Sequence, residues 1–185
     1  LRTATDAQSG ATVTVNATDP AADTVILAGR SIANARSAGV AALQVQLAAG
    51  TVTLDSDALA ALDLHKDVAV SLTEASLNAA QQRALGSQAA TATLANVSVT
   101  VDGAAASYPA GSVRAGIPVR AADDLTAWSL AEDGAISAVG GAWDAQQQTY
   151  TFDVISGVTA IARFPFTDVP AGSWYYGAAA YAYNN

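Results

Sequence analysis

The chain has 185 residues, of which 51% are hydrophobic, 13% charged and 6% aromatic, with a net charge of −8. That length supports one domain or two small ones, and a core built mainly of Ala, Val and Leu suits a slim, layered unit. With 8 basic against 16 acidic residues and no cysteine, the composition argues against nucleic-acid and anionic-membrane partners, and it excludes thiolate metal sites and disulfides.

Taken in chain order, residues 11–15 (ATVTV) alternate and predict a short strand. Residues 16–23, with Asp19-Pro20, predict a turn-rich link, and residues 24–28 (TVILA) a second strand. Residues 31–38 (SIANARSA) predict a short helix with Ser31 as N-cap and Gly39 as its stop. Residues 42–47 and 51–54 flank Ala-Ala-Gly and predict a hairpin. Asp55 is expected to cap a compact helix whose apolar face is Leu59 and Leu62, with Asp57 in its first turn near the positive end of the dipole.

Residues 68–72 (VAVSL) predict a strand, and residues 76–85 a helical turn or two stopped by Gly86. Residues 91–101 alternate and turn at Asp102-Gly103. Residues 113–119 predict a strand whose Pro118 points to an edge position or a strand end. The clearest signal is residues 125–131, then Asp133-Gly134, then residues 135–139, a hairpin whose two turn residues tolerate positive φ. Trp143-Asp144 opens a further turn. Residues 148–155 set Tyr150, Phe152 and Val154 on one pleat face and Thr149, Thr151 and Asp153 on the other. Residues 159–164 (TAIARF) predict the last strand.

Strand signals every ten to fifteen residues or so, with two or three short helices, predict a mainly β protein, with α+β as the alternative: an antiparallel β-sandwich-like module. A sub-boundary is expected near 104–110. No apolar run approaches the ~20 residues that span a bilayer. The chain has no methionine and is expected to be an internal piece of a longer, extracellular protein.

No residue pattern specifies catalysis, and the expectation is a protein that is not an enzyme and holds no cofactor or metal. His65 is the only histidine, in the charged loop Asp63-Leu-His-Lys-Asp67. It reads as a solvated loop residue, since no Gly-x-Ser-x-Gly elbow accompanies it. The acidic pairs Asp55/Asp57, Asp63/Asp67, Asp123/Asp124 and Glu132/Asp133 match no calcium loop. Lys66 reads as a surface lysine and not as half of an isopeptide bond to Asn34 or Asn96. Asn16 and Asn96 fit the glycosylation sequon. Trp128, Trp143 and Tyr150 are candidates for an aromatic platform.

The residues 166–185, FTDVPAGSWYYGAAAYAYNN, combine Phe166, Asp168-Val169, Pro170, Gly172, Trp174-Tyr175 and an alanine-rich run. This segment resembles the opening of an S-layer homology (SLH) module, the wall-anchoring repeat of many bacterial surface proteins, and covers roughly a third of one module. Phe166 and Val169 match apolar packing positions, Asp168 the acidic position of the opening, and Trp174 and Tyr175 the aromatic pair that starts the first helix. The resemblance implies that Asp168, Trp174 and Tyr175 belong to an incomplete polysaccharide-binding region. The family's glycine turn and Thr-Arg-Ala-Glu ligand motif are missing. Secondary cell-wall polysaccharide would then be bound only by complete repeats, not by these residues alone.

Trp128, Glu132-Asp133-Gly134, Trp143-Asp144, Tyr150-Thr151-Phe152 and Ala160-Ile161-Ala162 also resemble modules of secreted Firmicutes proteins that run into SLH repeats and act as stalks. Together these resemblances imply a β-rich spacer module at 1–164 and the start of an SLH module at 165–185, on a Gram-positive cell surface. The alternatives are an adhesin for host glycan or protein, an accessory domain of a large secreted hydrolase, and a subunit of a self-assembling surface polymer.

Overall fold

The computed structural model describes residues 10–17, 19–63, 65–119, 125–155 and 157–163. The segment 166–185, with Asp168, Trp174 and Tyr175, lies outside the described residues, as do Asp123 and Asp124. The described chain is mainly β. Its first half contains β1 (Thr12–Asn16), β2 (Thr24–Leu27), α1 (Gly29–Ser37), β3 (Ala42–Leu47), β4 (Gly50–Asp55), α2 (Ser56–Ala61), β5 (Val68–Glu74) and α3 (Ala79–Leu85). A 3-10 turn at Gly86–Ala90 follows. The second half contains β6 (Thr93–Val101), β7 (Ala104–Ala105), β8 (Val113–Pro118), β9 (Leu125–Leu130), β10 (Ile136–Val139), β11 (Gly141–Asp144), β12 (Thr149–Asp153) and β13 (Val158–Arg163).

These strands form two sheets packed face to face. The first has the order β1-β3-β4-β8-β12-β11 and the second β10-β9-β13-β6-β5-β2. Both draw strands from either side of residues 104–110. Period-two alternation drives the layering, because only one face of each strand can enter the core. Val45, Val52, Ala115 and Phe152 form one inward rung of the first sheet. Val68, Val70 and Leu72 face Val101, Val99 and Val97 in the second. The outer face of the first sheet carries Thr14, Gln44 and Thr53 on one rung and Asn16, Gln46 and Thr51 on the next. Hydroxyls and amides thus coat a surface that few charges cover.

The chain changes sheets at Gly140, between β10 and β11. An added Cβ there would lie 2.8 Å from the Asp153 carboxylate, so glycine lets the bent strand close that side. The other side stays open, edged by β1 and β2.

One pair departs from the antiparallel expectation: β1 lies parallel to β3. Residues 17–41 visit the other sheet as β2, form α1 and return, which supplies the long crossover a parallel pair needs. Helices α1 and α2 touch each other at one end of the sandwich, following β2 and β4. Strands β3 and β5 start from that helical end. β1 runs with β3, and β13 runs with β5, since both β5 and β13 are antiparallel to β6. The chain therefore comes into β1 at the helical end, where the Gly10 N–H donates to the Gly39 carbonyl at 2.8 Å. It leaves β13 at the opposite end, beyond the pairing of Ile161 with Thr93 and of Arg163 with Leu125.

Local signals hold with two corrections. Asp55 caps α2 as expected, its Oδ1 accepting from the N–H groups of Asp57 and Ala58 at 2.9 and 3.0 Å. Ser31, however, is not the cap of α1. The helix begins at Gly29 with no local side-chain cap, and the Gly29 N–H donates instead to Asp67 Oδ1 at 3.4 Å. A carboxylate from the loop before β5 thus sits at the positive end of the helix. Pro118 ends β8, as the strand-end alternative expects, and β8 lies between β4 and β12, so the edge alternative does not apply. The turn between β9 and β10 has positive φ only at Gly134 of its Asp-Gly pair. The Gly134 N–H donates to the Ala131 carbonyl at 3.0 Å, and the Ala131 N–H to the Ala135 carbonyl at 2.9 Å. This is a type I turn followed by a glycine bulge, a three-residue loop in place of the two-residue one.

Candidate functional site

The three candidate platform aromatics divide between the sheets. Trp128 stands on β9, across from Ala138 on β10 and Ala160 on β13, whose small side chains leave room for the indole. It shares a pleat face with Leu130, turned away from the core between the sheets, and is 4% exposed. Tyr150 and Trp143 are direct partners on β12 and β11. Tyr150 belongs to the core and is 4% exposed, while Trp143 is half-buried against that core. An added Cβ at Gly141 would lie 2.7 Å from the Tyr150 ring, so the ring lies over an edge-strand glycine and shields it. The pairing of Trp143 with Tyr150 is structural, and the three rings do not share one exposed plane.

The charged loop serves backbone geometry. Asp63 Oδ1 accepts from the His65 N–H at 3.0 Å, and Asp67 reaches Gly29 as described. Lys66 is half-exposed and pairs with Asp102 at 3.5 Å, a surface contact of little energetic weight. Its partner is thus a carboxylate at the β6–β7 turn, not Asn34 or Asn96. Asp133 Oδ1 accepts from the Ala135 N–H at 2.9 Å, shaping its turn. Among the described residues, no three acidic or histidine side chains gather in a metal-holding group. Tyr108 packs half-buried against the core, and its desolvation pushes the phenol above the usual tyrosine range. No described helix is long and apolar enough to cross a membrane.

One groove was not legible in the sequence. A groove of about 860 Å³ runs between α3, the 3-10 turn and the start of β6. Leu77, Ala89, Ala90 and Leu94 supply its apolar lining, and Arg83 is the only charged residue among the described lining residues. The Arg83 Nε donates to the Ala79 carbonyl at 3.1 Å, which draws the guanidinium back along its own helix. The groove exists because the chain continues past Gly86 as a 3-10 turn. Gly86 has φ of 55°, and it redirects the chain where the sequence predicted only a helix stop.

No protein-family model, curated protein or solved structure matches the chain.

Proposed function

We propose that the chain is a non-enzymatic, extracellular spacer module of a cell-surface protein held on the wall through SLH repeats beginning at residue 166. The observation that carries this reading is the direction of the first and last described strands. β1 is reached at the helical end and β13 leaves at the other, so the fold sets its neighbours in the chain at opposite ends of its strands. A spacer needs that geometry, whereas a domain inserted as a side branch needs its ends close together. The resemblance of Phe166, Asp168-Val169 and Trp174-Tyr175 to an SLH opening follows directly on β13. The burial of Trp128 and Tyr150 weighs against an aromatic glycan platform.

The test is a pull-down on purified wall polysaccharide. This chain extended by complete SLH repeats is expected to bind, and the 185-residue chain alone is expected to stay in solution. Failure of the extended chain to bind sinks the anchoring claim.

A further inference from the structure

We infer that the module transmits tension along its strand direction as a shear clamp, with β1 and β13 as its two grips. A pull on the chain ahead of β1 acts along β1, out of the helical end. A pull on the chain after β13 acts along β13, out of the opposite end. Neither strand is drawn sideways from its neighbour. The β1–β3 ladder is partnered over the whole of β1, from Thr12 with Ala42 to Asn16 with Gln46. Its rungs therefore share the load and must fail together, and Val13 and Val15, packed against the core, must slide with them. β13 is gripped on both sides, by β9 and β6, so the β1–β3 ladder is the weaker grip and sets the yield point. A strand peeled from one end breaks its rungs singly and resists less. Forced unfolding is governed by the unfolding barrier, so the direction of loading changes the force even though equilibrium stability does not change.

This rests on the spacer reading only for its biological sense, since the strand directions hold without wall anchoring. The experiment is single-molecule force spectroscopy on the full chain, whose lack of cysteine makes engineered thiol handles unambiguous. One molecule is held through its two termini. The other is held through its N-terminus and Ala104→Cys, an exposed position beside the β6–β7 turn at the helical end, so that β1 is peeled. Equal Tm values confirm that the handle leaves the fold intact. At one loading rate, the end-to-end geometry is expected to unfold at a force about twofold or more above the same-end geometry. Equal or lower end-to-end force overturns the inference. Wall binding can succeed or fail independently of that result, which keeps the two claims separable.

Discussion

Phe152 shows how a core of small side chains is held together. It is 1% exposed and lies beside Ala115, whose methyl leaves space for the ring on the same rung. Few aromatics are available to the chain, so each buried one contributes a large share of apolar burial. Phe152→Ala is expected to cost about 3–5 kcal/mol, measured by denaturant unfolding. A loss of a few tenths would mean that the interior at this rung is already loose. The alternation of residues 149–153 made the inward position of Phe152 readable. It could not say that Trp128 would be covered as well, because Trp128 lies on the outward face of its strand.

At the scale of elements, α3 is fixed to the β9–β10 hairpin through its own cap. Asn78 Oδ1 accepts from the N–H groups of Ala80 and Gln81, while its Nδ2 donates to the Glu132 carbonyl at 2.9 Å. Gln81 completes the capping box by accepting from the Asn78 N–H at 3.0 Å. Its Nε2 then donates to the carbonyls of Leu130 and Ala131 at 3.3 and 3.2 Å. The fit is close, for an added Cβ at Gly134 would lie 2.9 Å from the Ala80 carbonyl oxygen. Gln81 is 4% exposed, so Gln81→Ala strands buried polar groups and is expected to cost about 1–3 kcal/mol. Hydrogen exchange should show both α3 and the hairpin turn losing protection; loss in α3 alone would mean that the two are not joined.

That junction marks the limit of what local sequence carries. Strand alternation, the Asp55 cap and the glycine stops are encoded within a few residues, and they were legible. Which strand lies beside which is encoded in the fit of whole faces, so the parallel β1–β3 pair was not. Asp67 capping α1 is likewise a contact between distant segments, and Ser31 looked like the cap only because it was local. The candidate site fared similarly. Residue type marked Trp128, Trp143 and Tyr150, but burial and sheet membership separated them.

For the molecule as a whole, the half-buried Tyr108 phenol links stability to alkaline pH. Folding removes it from water, so the folded state keeps its proton where the unfolded chain releases it. Its contribution is complete below the ordinary tyrosine pKa of about 10 and is lost as pH rises through the raised value in the folded state. Tm is therefore expected to fall as pH rises from the ordinary tyrosine value through the raised one, and Tyr108→Phe should make that fall shallower. An unchanged slope in the variant would show that Tyr108 is not the group responsible.

The place of β13 also governs when the fold can form. It is the last described strand in the chain, yet it occupies the interior of the second sheet, with β9 on one side and β6 on the other. Until residues 158–163 emerge from the ribosome, β6 and β9 have no strand between them and both keep an unpaired edge there. A domain completed from the middle by its last strand cannot close progressively from its N-terminus. It stays unfinished until its last strand is delivered.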